Sequence, residues 1–134
     1  MASIGNITFA ADEPVRLAEF WAAATGYVPL EVPEEVQREV DAAVASGELD
    51  PTGWAMLVDP RGHGPRLLFQ RRPRSRPLHI PVHLDLNAED RQAEVERLVA
   101  LGASVVETKT QTTGSFSETF TVMRDPEGNG FCVQ

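Results

Sequence analysis

The chain has 134 residues, the size of one ordinary domain, and its 42% hydrophobic and 24% charged content is that of a soluble globular protein. A formal net charge of −8 argues against nucleic acid as a partner, because that binding is driven by neutralising phosphates. One cysteine, Cys132, excludes an internal disulfide framework and fits a reducing cytoplasm. No apolar run approaches the roughly 20 residues of a membrane span, and "MASIGNITFAADEP" lacks the basic-then-apolar pattern of an export signal.

Taken in chain order, "SIGNITF" predicts a short strand. "ADEPVRLAEFWAAATG" predicts a helix with Asp12 as cap, Pro14 in its first turn and Gly26 as its stop. Leu17, Phe20, Trp21 and Ala24 fall on one face of it, which assigns Phe20 and Trp21 to a helix–sheet core. "GYVPLEV" is a weakly defined strand. "PEEVQREVDAAVASGELDP" carries Val36, Val40 and Val44 four apart, with Ala43 beside them, and predicts a helix over 33–49. Such a helix either packs on a flank or covers the mouth of a curved sheet and gates a pocket. "GWAMLVDPRGHGPRLLFQ" reads as two strands joined by a Gly/Pro turn. Arg66, Arg71, Arg72, Arg74 and Arg76 in "RLLFQRRPRSR" form either a solvated linker or an anchor for an anionic ligand.

The second half repeats this order. "LHIPVHLDL" is a strand, "NAEDRQAEVERLVALGA" a helix with Asn87 as expected cap and Gly102 as stop, and "SVVETKTQT", "FTVMRD" and "GFCVQ" are three further strands. The fold class is therefore α+β: two β-α-β-β-β modules, 1–73 and 78–134, within one domain of residues 1–134. A phrase is also written twice, in Trp54 to Gln70 and in Phe120 to Gln134. Asp59-Pro60 matches Asp125-Pro126, Gly62 matches Gly128, and Gln70 matches Gln134, with two extra residues in the first copy. Proline fixes φ and glycine permits positive φ, so both phrases are first of all turns.

Paired modules, "FW" in the first helix, "VHLDL" opening the second module and a C-terminal "DPEGNGFCV" together resemble the vicinal oxygen chelate superfamily. That superfamily includes glyoxalase I, bleomycin-resistance proteins, epimerases and extradiol dioxygenases, and the likeness is greatest to its short, single-domain, glyoxalase-like bacterial members. It covers nearly the whole chain, with 33–52 the least typical part. The resemblance implies a curved mixed sheet forming a cup, and usually a divalent metal held by His, Glu or Gln from the first and last strands of each module. Those positions fall here on Gly5, Leu68, His83 and Cys132. Only His83 is a usual ligand; Cys132 could bind as thiolate, and Gly5 and Leu68 offer no side-chain donor. No bound metal and no cofactor are therefore expected.

Without a metal, a concave and largely apolar cavity would remain, suited to a small molecule. The expected function is binding of a small organic molecule as ligand or substrate. The alternative is a metal-independent lyase, isomerase or cyclase using His83 as acid/base, since an imidazole titrates near neutral pH. A metal-dependent glyoxalase or dioxygenase ranks third. Gln70, Cys132 and Gln134 are candidate ligand contacts, and Phe9, Trp54, Phe69 and Phe120 candidate pocket walls because they lie on strands. His83 could equally be a satisfied core histidine, and Cys132 a small buried hydrophobe. His79 and Asp85 would share the parity of His83 on a regular strand, though Pro81 argues for an irregular start; His63 sits in the glycine-rich turn and reads as solvated. The partners expected are a small molecule and a second copy of the chain in a homodimer, with neither nucleic acid nor membrane.

Overall fold

The computed structural model describes residues 6–72, 84–113 and 116–134. The chain divides into two compact units, Met1–Arg76 and Pro77–Gln134. Unit one runs β1 (Asn6–Ala11), α1 (Pro14–Thr25), β2 (Val28–Pro29), α2 (Glu34–Ala45), β3 (Trp54–Val58) and β4 (Arg66–Arg71). Its sheet has the order β1-β4-β3-β2, with β1 parallel to β4 and the other neighbours antiparallel. Unit two runs β5 (Leu84–Leu86), α3 (Arg91–Ala100), β6 (Ser104–Thr113), β7 (Phe116–Arg124) and β8 (Gly130–Val133), with the order β5-β8-β7-β6 and the same pattern of parallel and antiparallel pairs. The fold is α+β, two modules of one plan, each closing its own four-stranded mixed sheet. Among the described residues no helix is long and apolar enough to cross a membrane.

One face of each sheet is sealed by a helix. In unit one, Leu17, Phe20, Trp21 and Ala24 of α1 are buried, as their spacing predicts, over Leu57, Leu67 and Phe69. Burying side chains of this size stabilises by about 1.5–3 kcal/mol each relative to exposure. In unit two, Val95 and Leu98 of α3 meet a core containing Met123, Phe131 and Val133. The threonine-rich β6 and β7 pair through hydroxyls, Thr108 with Thr121 at 3.0 Å and Thr110 with Thr119 at 2.8 Å. Beneath α3, Arg91 donates to the Thr121 hydroxyl at 2.6 Å, which satisfies a group only 1% exposed.

Both expected helix caps are corrected. Glu13, not Asp12, occupies the N-cap position of α1 and makes no side-chain cap bond there. Pro14 follows at once, and its missing N–H removes one donor that a cap would serve. For α3 the cap is Asp90, whose carboxylate accepts from Ala93 N at 3.0 Å, and not Asn87. Asn87 lies one residue beyond β5, where strand pairing still holds the chain: Gln134 N donates to Leu86 O at 2.8 Å and Ala88 N to Gln134 O at 2.9 Å.

The repeated Asp-Pro phrase makes the β3–β4 and β7–β8 turns. Asp59 accepts from the backbone N–H groups of Arg61, His63 and Gly64 at 3.0, 3.2 and 3.0 Å, and from Arg61 Nε at 3.0 Å. Asp125 accepts from Glu127 N and Asn129 N at 2.9 Å and from Asn129 Nδ2 at 2.8 Å. In both turns the glycine three residues on donates back to the aspartate carbonyl at 2.9 Å, with φ of 72° at Gly62 and 85° at Gly128. That left-handed conformation strains any residue with a β-carbon. The echo is thus a buried carboxylate organising loop amides, in duplicate.

Of the arginine run, Arg66, Arg71 and Arg72 are tied into unit one. Arg66 Nε donates to Asn6 at 2.8 Å, Arg71 reaches Thr52 Oγ1 at 2.7 Å and the Asp12 carbonyl at 3.2 Å, and Arg72 lies 3.4 Å from the Asp12 carboxylate. These three act as ties between strand β4 and its neighbours. Arg74 and Arg76 lie outside the described residues.

Candidate functional site

Strand alternation decides which side chains can meet a ligand. On β4 Leu67 and Phe69 point under α1, so Leu68 and Gln70 point to the opposite, open face. By register Thr8, Ala10, Trp54 and Met56 share that face. Gln70 is exposed there, directly across from Trp54. Phe9 and Phe69 were expected to wall a pocket, and this is corrected. Phe69 is fully buried in the core beneath α1, and the half-buried Phe9 stacks on it at 4.9 Å and meets Trp21 at 5.3 Å on the same side of the sheet. Being on a strand is not enough, because only alternate residues face the open side.

Unit two brings more of the expected site residues together. A cavity of about 430 Å³ lies on the open face of its sheet, lined chiefly by Asp85, Glu118, Phe120, Val122, Cys132 and Gln134. Three expected contacts, Phe120, Cys132 and Gln134, are brought together here. Register explains it: Asp85 is opposite Cys132, Cys132 opposite Val122, and Phe120 follows two residues before Val122 on β7. Glu107 and Lys109 stand opposite Val122 and Phe120 on β6 and pair with each other at 2.8 Å. Glu118 and Val122 were missed in the sequence, although the alternation in "SETFTV" around Phe120 marks them. His83, His79 and Gly5 lie outside the described residues.

The environment defines the thiol's chemistry. Burial, then the nearby Asp85 carboxylate, pushes the Cys132 pKa up, against a smaller opposing pull from Lys109. With no metal bound, Cys132 is therefore a neutral thiol at physiological pH and not an activated nucleophile. Leu68, at another ligand position, has no donor atom. Among the described residues no three His, Cys, Asp or Glu side chains converge as a metal site. The described members of the expected ligand set do not fit a divalent ion.

The glyoxalase-like domain family profile matches residues 6–134, and the chain belongs to that family. Solved structures with the same fold include a glyoxalase/bleomycin resistance protein/dioxygenase family enzyme from Burkholderia phytofirmans PsJN, at 15% identity and TM-score 0.68, covering 98% of this chain and 97% of the other. A possible glyoxalase from Bacillus cereus superposes with TM-score 0.62 at 14% identity, covering 100% and 99% of the two chains. A lactoylglutathione lyase from Agrobacterium tumefaciens gives 0.59 at 17%, covering 99% and 92%. No curated protein sequence matches significantly. At these identities the likeness concerns the fold.

Proposed function

We propose that this glyoxalase-like protein binds a small organic molecule on the open face of the unit-two sheet, without a metal at the family's usual ligand positions. The observation that carries the reading is the cavity of about 430 Å³, where Phe120 and Val122 give an apolar wall and Asp85, Glu118 and Gln134 give polar groups. That volume lies within the range of small-molecule sites. Ionised carboxylates accept hydrogen bonds and cannot donate, so the guest has to bring N–H or O–H donors on an apolar, preferably aromatic, body. The neutral Cys132 thiol adds a small, polarisable surface to the floor.

A thermal-shift comparison of benzylamines with the matching benzoates tests this. The amines should raise the melting temperature, a ligand at 100 times its Kd adding about 2.7 kcal/mol. Phe120→Ala should remove most of that shift. Selective stabilisation by benzoates, or a shift indifferent to Phe120→Ala, would overturn the reading.

A second reading, a metal-independent lyase, isomerase or cyclase, is favoured by one observation: Asp85 lines the cavity, and His83 precedes it by two residues in sequence. Turnover of a bound amine that disappears in His83→Ala, with folding intact, would select it over simple binding. A metal-dependent lyase or dioxygenase is disfavoured because Leu68 offers no ligand. The lone cysteine supports a cytoplasmic setting. A homodimer is supported by the number of large apolar side chains that unit two leaves exposed, Val99, Leu101, Val105 and Val106.

A further inference from the structure

Unit one contains a second cavity, also of about 430 Å³, that the unit-two reading does not use. It lies between α1, the β2–β3 edge and the inserted helix α2. Among the described residues its walls are overwhelmingly apolar; the polar groups of the lining side chains are those of Glu19, Gln37 and the Trp54 indole N–H. Gln37 already donates its amide to Asp41 at 2.8 Å.

The helix over this cavity is unusual. None of the twelve residues of α2 is buried, yet Val40 and Val44 turn toward the hollow and are half-buried. Amphipathic helices in globular proteins ordinarily bury the apolar stripe against the core. Here the stripe stands off α1 and the sheet, across a space of ligand size.

We propose that α2 is a clasp closing on a compact, uncharged, apolar molecule, such as an aromatic or alicyclic ring system, held between α2 and α1. This goes beyond the proposed function and concerns a different site. A small guest fits better than a second copy of the chain. The hollow is walled on three sides by this chain itself, and α2 carries Glu34, Glu35, Glu39 and Asp41 against a single Arg38. Two such helices brought together by a two-fold axis would repel. Among the described residues the lining holds no cation, so a buried anion would go unpaired there.

The test uses the neutral fluorophore N-phenyl-1-naphthylamine and the full chain. Saturable emission enhancement with one-to-one stoichiometry is expected. Val44→Phe, which fills the hollow, should weaken binding at least tenfold, and Val40→Phe should do likewise. Val36→Phe, at an exposed position of α2 that does not line the hollow, should stay within twofold, and circular dichroism melts should show all three folded. Absence of saturable binding, equal effects of the Val36 and Val44 variants, or loss of binding in Phe120→Ala would overturn the proposal. So would a dimer by sedimentation that dissociates in Val44→Phe, since another copy would then fill the groove. The benzylamine shifts at unit two should survive Val44→Phe, which keeps the two sites' fates separate.

Discussion

The Asp59 carboxylate accepts three backbone N–H groups and one guanidinium N–H while its side chain is almost wholly out of solvent. The Arg61 N–H is the strongest contributor holding its pKa well below the usual carboxylate range, with burial opposing. The folded pKa is depressed relative to the unfolded value near 3.9, so the stabilisation is full above that value. It is lost as the pH falls below it toward the folded pKa. Asp59→Asn should therefore lower the melting temperature clearly at pH 7, and the gap to wild type should narrow steadily below about pH 4. Thermal melts of the two proteins between pH 3 and pH 7 check this; a gap that widens on acidification would refute it. The sequence marks Asp59 and Asp125 as turn residues through the repeated phrase. Which amides they would collect depends on the loop path, which residue types alone do not specify.

Among the elements, α3 separates what sequence pattern resolves from what it leaves open. Its apolar face is legible from Val95 and Leu98, but "NAED" offers several capping residues in a row. Local chemistry ranks Asn and Asp almost equally as caps, so the choice falls to the neighbouring strand. Pairing with Gln134 keeps the chain extended through Ala88, and the helix starts only after Asp90. Asp90→Ala should cost about 1 kcal/mol of stability in chemical denaturation, the usual value of an N-cap bond. Asn87→Ala should stay within about 0.5 kcal/mol, as for a neutral surface change. The reverse order of effects would restore Asn87 as the cap. For α2 the sequence shows the stripe and the insertion, and the structure adds that the stripe faces a hollow at the β2–β3 edge.

At the scale of the whole molecule, the family's metal chemistry is where chain and fold part company. The fold repeats its module, yet Leu68, at one of the expected ligand positions, is apolar and offers no donor atom. Protein purified without added ions should carry well under one equivalent of Ni, Zn, Fe or Mn by elemental analysis. Exhaustive treatment with EDTA should leave its melting temperature unchanged. Stoichiometric metal, or a melting temperature that drops on chelation, would mean that residues beyond Leu68 and Cys132 complete a site.

By itself, the sequence determined the α+β class, the duplicated module, the two turns and the α1 core, because each is written in local periodicity and turn chemistry that needs no distant partner. Phe120 and Gln134 were also legible as candidates, from strand position and the internal repeat, and Cys132 from the family resemblance. Only the tertiary structure decided which strand residues face open space. Phe9 and Phe69 are as aromatic and as strand-borne as Phe120, but parity turns them to the α1 side, where Phe69 is buried and Phe9 stacks on it, while Phe120 meets the cavity. The recruitment of Asp85, Glu118 and Val122 beside Cys132 likewise depends on the register of β5, β8 and β7. Register is a pairing between residues far apart in the chain, and a side chain's facing follows from it, so no local pattern could supply either.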